Sequence, residues 1–183
     1  THLQAERSRQ GRAPSGAQQA LGLHRAALRD FEALFIGIEE GDYQRRPSAA
    51  EWALNIIVAH VHEVERYFFG AILNSVRNPQ PEQLEDEELM ALVEDALEIA
   101  TDAPFAAMWA RYAALHARIT ATLAARAAAE LALRAPAWDP EPWPTVEFRL
   151  HRFASHLREH TNQVEKVLGL LERRPNEARM LLR

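Results

Sequence analysis

Residues 146–171 read VEFRLHRFASHLREHTNQVEKVLGLL, and this stretch decides the fold class. It contains no proline, and its apolar residues recur at spacings of three, four and seven. That period is typical of an amphipathic helix with one face in a core. The apolar stripe comprises Leu150, Phe153, Ala154, Leu157, Val164, Leu168 and Leu171. The sequence therefore predicts a long helix here that packs against other helices.

Two histidines lie at the edge of this stripe. His156 and His160 are four residues apart, so their side chains are neighbours on a helix surface, with Cβ atoms about 5–6 Å apart. Two imidazoles so placed can bind one metal ion, because zinc–nitrogen bonds are about 2.0–2.1 Å long. Histidines at this spacing also arise often by chance. The pair is therefore good evidence for a metal site only if another helix supplies a third histidine.

The composition favours an all-α protein, because hydrophobic residues make up 48% of the 183 residues and strand-like alternation is nearly absent. The net charge is −5 and no basic stripe occurs, so we expect no nucleic-acid binding. The chain has no cysteine, so a metal must be held by histidine, carboxylate or water. No apolar run is long enough to span a membrane and the N-terminus is polar, so we expect a cytoplasmic protein.

Four long amphipathic helices are predicted, over about residues 17–38, 48–77, 103–133 and 146–171. Ser48 and Glu51 have the spacing of a capping box and should begin the second. An acidic segment, residues 84–99, is expected to form a short extra helix in a long crossover between the second and third. This pattern predicts an all-α four-helix bundle over residues 17–173, with a flexible N-terminal arm at 1–16 and a C-terminal tail at 174–183.

A third histidine lies on the inner face of the second helix. If the second and fourth helices are antiparallel, His60 falls at the depth of His160, given a rise of about 1.5 Å per residue. His62, two residues further on, should face the opposite side, towards solvent. The predicted metal ligands are therefore His60, His156 and His160.

The other candidate side chains are assigned different roles. His24 and His116 should line the pocket, support the ligands or lie in the core, rather than supply a fourth ligand. Glu159 should face outward, and Glu63 could contact a metal-bound water. The remaining histidines, His2, His62 and His151, are assigned to the surface. Because neither Glu-x-x-His nor His-Glu-x-x-His occurs, a di-iron carboxylate bundle and a zincin protease are both disfavoured.

The outer side of the second helix carries Val58, Phe69 and Leu73. Soluble monomers tend to avoid an exposed apolar patch of this kind, so we favour a homodimer. The alternative is that the acidic crossover folds over this side and covers it with Leu89, Leu92 and Val93. Trp138 and Trp143, in the loop before the fourth helix, are expected to cover one end of the core.

Two motifs make the sequence resemble the DinB/YfiT-like superfamily of small bacterial four-helix bundles. One is EWALNIIVAHVHEVE at residues 51–65, in which Trp52 precedes His60; the other is HLREHTNQV at 156–164. The resemblance covers about residues 17–171 and implies that His60, His156 and His160 bind a divalent metal, zinc or nickel, with water in the open positions. Some relatives are transferases or isomerases that use a low-molecular-weight thiol such as bacillithiol or mycothiol, and relatives are commonly dimers.

The resemblance implies a metal-dependent transferase that joins such a thiol to a small electrophile, with metal-assisted hydrolysis as a second reaction class. Two departures stand out: Ala53 lies where relatives often have Ser or Thr, and the extra C-terminal domain of the mycothiol-dependent maleylpyruvate isomerases has no counterpart in these 183 residues. We therefore do not expect that isomerase activity. The alternative function is a non-catalytic bundle, a stress-related or structural module that binds a metal or a small ligand. An open cleft above the metal would favour the enzyme.

Overall fold

A computed structural model describes residues 14–78, 80–93, 99–137 and 141–173. The helices are α1 (Gly16–Ala33), α2 (Glu40–Gln44), α3 (Leu54–Arg77), α4 (Asp86–Ala91), α5 (Phe105–Leu123), α6 (Ala128–Leu131) and α7 (Val146–Leu170). Within these described ranges no strand occurs, so the predicted all-α class is confirmed. Residues 1–13 and 174–183 lie outside the described ranges, and the boundaries of the predicted arm and tail stay predictions.

The core lies between the four long helices. α7 packs against both α1 and α3. α3 also packs against α2, α4 and α5, so side chains on nearly every side of it are buried. This central position of α3 explains several differences from the sequence-based predictions.

α7 forms where the quoted stretch predicts it. The Thr145 hydroxyl accepts a hydrogen bond from the backbone N–H of Phe148 at 3.2 Å and caps the helix. The predicted apolar stripe is buried. The helix ends at Leu170, one residue before the predicted end.

The first helix ends earlier than predicted. α1 stops at Ala33 rather than near Ile38. Gly37 follows with a φ of 76°, a left-handed conformation that glycine adopts without strain. The residues predicted to terminate the helix form α2 instead. Both carboxylate oxygens of Glu40 in α2 accept from the backbone N–H of Phe105 at 3.2 Å and so cap α5.

The predicted capping box of the second helix is wrong. α3 begins at Leu54, after a turn that contains Ser48 and Glu51. Arg46 stabilises this turn by donating to the backbone carbonyl of Glu51 at 2.8 Å. The Glu51 carboxylate pairs with Lys166 on α7 instead of capping a helix. The ion pair with α7 therefore takes the place of the predicted capping contact at the start of the helix.

The third helix is also shorter than predicted. α5 starts at Phe105 and ends at Leu123, ten residues before the predicted end at Leu133. The backbone N–H of Ala127 donates to the Glu130 carboxylate at 2.9 Å, which starts the separate short helix α6. Of the two tryptophans expected to cover the core, Trp138 lies outside the described residues and Trp143 is half-buried.

The outer side of α3 is covered within the chain. Val58, Phe69 and Leu73 are all buried, so the predicted exposed patch is wrong. α4 lies against this side so closely that a Cβ on Gly70 would be 2.1 Å from the backbone oxygen of Leu89. The predicted alternative, cover by the crossover, is the one observed.

Among the described helices, none is both long enough and apolar enough to cross a membrane.

Candidate metal centre

The three histidines predicted as metal ligands lie together between α3 and α7. The ring centroid of His60 is 5.4 Å from that of His156 and 4.8 Å from that of His160. The rings of His156 and His160 are 4.5 Å apart. One nitrogen from each ring lies within 4.8 Å of the other two. These three side chains are called the histidine trio below.

Gln163 orients one member of the trio. Its side-chain oxygen Oε1 is 2.7 Å from Nδ1 of His160, so Nδ1 donates and Nε2 carries the lone pair. Nε2 of His160 lies 3.0 Å from Nε2 of His156. A partner that fixes the tautomer in this way is typical of histidines that bind metals. The donor set therefore fits a divalent metal.

The trio is buried on one side and accessible on the other. His156 is buried, while His60 and His160 are half-buried. The Phe68 ring lies 6.2 Å from that of His156 on the core side. The Trp52 ring, 39% exposed, meets the ring of His60 edge-on at 5.1 Å. The trio thus has an aromatic floor and an accessible aromatic neighbour.

The surroundings keep the three imidazoles neutral. Burial, followed by the neighbouring His160 and His60, lowers the pKa of His156 to about 4. Burial and His160 lower the pKa of His60. Burial also lowers the pKa of His160, although the hydrogen bond that its ring donates to Gln163 opposes this shift. All three rings are therefore unprotonated at neutral pH, as metal binding requires.

Two predicted surface residues lie on the surface of α7. Glu159 is 57% exposed and forms an ion pair with Arg152 at 2.7 Å, so it faces away from the trio. His151 is exposed, as predicted. Glu63 is exposed on α3. His2 lies outside the described residues.

The prediction that His62 faces solvent is wrong. His62 is only 2% exposed, and its ring lies 6.2 Å from that of Tyr112 on α5. The prediction assumed that α3 has one buried face. In the structure α5 and α7 both pack against α3, so the side opposite the trio is buried as well.

His24 and His116 form a second buried cluster, with Glu65, rather than joining the trio. Glu65 was not among the site residues predicted from the sequence. The signal was present, because Glu65 is four residues after Val61 and three before Phe68 on an apolar stripe of α3. A carboxylate at such a position needs a buried partner.

Comparison with known proteins identifies the family. A family model described as mycothiol-S-transferase matches residues 19–165, a range that contains the whole trio, Trp52 and Gln163. No curated protein and no solved structure matches the chain. The matched family indicates thiol-transferase-like, metal-dependent chemistry and a small-molecule substrate. The chain therefore belongs to the mycothiol-S-transferase family, within the DinB/YfiT-like superfamily whose motifs the sequence carries.

Proposed function

We propose that this protein is a metal-dependent transferase that joins the sulfur of a low-molecular-weight thiol to an electrophilic carbon of a small molecule. The family description makes mycothiol the first thiol to test. The observation that carries the proposal is the convergence of His60, His156 and His160 at an accessible position. The chain has no cysteine, so the reacting sulfur must come from a cosubstrate.

The trio would hold zinc or nickel. Three neutral protein ligands are the number typical of catalytic zinc sites, which keep a further position open. When bound, a divalent metal lowers the pKa of a thiol that coordinates it, so that a thiolate is present at neutral pH. Gln163 keeps Nε2 of His160 directed towards Nε2 of His156.

The chain's other residues bind and orient the reactants. The Trp52 ring contacts the ring of His60, and Ile56 precedes His60 by one turn of α3. These apolar residues, 39% and 37% exposed, would contact the electrophile. Phe68 and the core behind it keep water from the inner side of His156. With a haloarene or an epoxide, a sulfur–carbon bond forms while the carbon–halogen or carbon–oxygen bond breaks and its electron pair stays on the halide or oxygen. With an activated alkene, the sulfur–carbon bond forms, the carbon–carbon π bond breaks, and the neighbouring carbon takes up a proton from solvent. The thiol proton goes to solvent.

We also infer that α1, α3, α5 and α7 form a four-helix bundle with α4 in the crossover between α3 and α5. The packing of α7 on α1 and α3, and of α3 on α5, supports this arrangement.

A homodimer and a cytoplasmic location stay predictions. The residues first chosen for the dimer interface are buried within one chain, so the dimer now rests on the resemblance alone. Sedimentation giving twice the chain mass of 20.7 kDa would support it.

The test measures thiol transfer and metal content on the same samples. The full chain is loaded with zinc and given reduced mycothiol and 1-chloro-2,4-dinitrobenzene, which yields a thioether and chloride. We expect His156→Ala to lose the metal ion of the trio and the transfer. His151→Ala changes an exposed histidine on the same helix and should keep both.

Two results would contradict the proposal. Transfer at the wild-type rate in His156→Ala would exclude the trio from the reaction. Stoichiometric zinc in the wild type, with no transfer to haloarenes, epoxides or activated alkenes, would instead favour the non-catalytic metal-binding bundle.

A further inference from the structure

A second group of metal-ligating side chains lies inside the protein. His24 on α1, Glu65 on α3 and His116 on α5 each place one nitrogen or oxygen within 4.8 Å of the other two. His24 and Glu65 have no exposed surface, and His116 is 7% exposed. This interior cluster shares no residue with the histidine trio.

One oxygen of the Glu65 carboxylate is fully used. Oε1 lies 2.8 Å from Nε2 of His24 and accepts from the Tyr112 hydroxyl at 2.7 Å. Tyr112 is itself completely buried. A hydroxyl that donates to a ligating carboxylate is the kind of partner that fixes the orientation of metal ligands.

The other polar atoms of the cluster lack partners. Within the described part of the chain, Oε2 of Glu65, Nδ1 of His24 and both ring nitrogens of His116 have no hydrogen-bond partner. Burying a polar group without a partner destabilises the folded state, and buried carboxylates are normally paired or bound to metals. The ring of His116 nonetheless lies 4.3 Å from that of His24. A ligand between these side chains would give the buried nitrogen and oxygen atoms the partners that they lack.

The charges of the cluster suit a cation. Burial raises the pKa of Glu65, but His24, Tyr112 and His116 together outweigh it and lower the pKa, so Glu65 is ionised. Burial, followed by the nearby His24, lowers the pKa of His116 to about 4. His116 is therefore a neutral imidazole with a lone pair. Two imidazoles and one carboxylate are a donor set that zinc and related divalent metals prefer.

We propose that His24, Glu65 and His116 form a second, interior site for a divalent transition metal such as zinc. The site joins α1, α3 and α5, whereas the trio joins α3 and α7. Because its ligands are buried, the interior metal has a structural role and enters while the chain folds. A proton shared between His24 and Glu65, with a water beside His116, is the competing occupant.

The test counts metal ions in protein refolded with zinc. The wild type should contain about two ions per chain, one at each site. The triple variant His60→Ala, His156→Ala, His160→Ala should keep about one. Adding His116→Gln to the triple variant should remove that ion. Adding His62→Gln, which changes a buried histidine outside both sites, should leave it in place.

A triple variant that refolds to a helical protein and contains no zinc would overturn the proposal. If the triple variant does not fold, crystals of the zinc-refolded wild type decide the question. Anomalous scattering at the zinc edge should show a peak enclosed by His24, Glu65 and His116. Electron density without an anomalous signal at that position would identify water and would equally overturn the proposal.

Discussion

Nε2 of His156 and Nε2 of His160 lie 3.0 Å apart across one turn of α7. Since Nδ1 of His160 donates to Gln163, the single proton between the two Nε2 atoms belongs to His156. A metal held by both rings would need the lone pair of each Nε2, so the proton of His156 would move to Nδ1 of the same ring, which has no hydrogen-bond partner among the described residues. Only a tautomer change stands between the metal-free trio and a metal-binding one.

Two histidines two residues apart on α3 should differ in their effect on metal content. His60→Ala removes a member of the trio and should weaken zinc binding at the trio by more than about a hundredfold, beyond the loss typical of a supporting residue. His62→Gln should leave zinc affinity unchanged, although it perturbs a buried side chain. Isothermal titration with zinc checks the pair. Equal losses in both variants would show that His62, not only His60, faces the metal.

Gln163 should tune the trio without binding the metal. Gln163→Ala removes the acceptor that fixes the tautomer of His160, and we expect zinc affinity to fall about 10–100-fold. Asn162→Ala changes an exposed neighbour on the same helix and serves as the control. An unchanged affinity in Gln163→Ala would mean that His160 needs no partner.

The sequence predicts α7 and the trio well because both depend on local periodicity. The apolar stripe from Leu150 to Leu168 determines which side of α7 is buried, and histidines four apart follow that side. His60 lies at the predicted depth, beside His160, because α3 and α7 pack directly against each other. The periodicity of α7 and its packing against one neighbouring helix are therefore enough to predict these features.

The failures occur where a residue's surroundings come from several elements. A helical wheel with one inner face cannot place His62, because α3 is buried on several sides. Glu51 has the spacing of a capping residue, but its partner is Lys166 from α7. The partners of Glu65 come from α1 and α5, and neither contact leaves a short-range pattern in the sequence.

The close contact between α3 and α4 should make any larger residue at Gly70 destabilising. In Gly70→Ala the new Cβ would meet the backbone of Leu89, and we expect a loss of about 1–3 kcal/mol in the free energy of unfolding. Gly22→Ala, on α1, meets nothing within 4 Å and should gain up to about 1 kcal/mol from helix propensity. Urea unfolding measures both. A neutral Gly70→Ala would mean that α4 does not lie against α3.

The metal-free protein should lose stability in mild acid. The pKa of His116 is lowered from 6.5 to about 4 by burial, by His24 and by Arg25, with Glu65 opposing. Between these two pH values the unfolded chain binds a proton that the folded chain does not. The contribution of His116 to stability is therefore complete above about pH 6.5 and falls as the pH drops towards 4.

Urea unfolding of the metal-free protein at pH 7.5 and pH 5 tests this dependence. The free energy of unfolding should be lower at pH 5, and His116→Gln should reduce the difference between the two pH values. His156 contributes in the same direction, so some dependence should remain. An identical pH dependence in His116→Gln and the wild type would show that His116 does not cause the loss of stability in acid.

Cobalt substitution tests most directly whether the trio holds a metal that binds a thiol. With cobalt in place of zinc, adding mycothiol should produce a sulfur-to-cobalt charge-transfer band in the near ultraviolet. The band should be present in His151→Ala and absent in His156→Ala. The buried interior site cannot contribute, because a thiol cannot reach it. Cobalt bound at the trio of the wild type with no such band at saturating mycothiol would contradict the account.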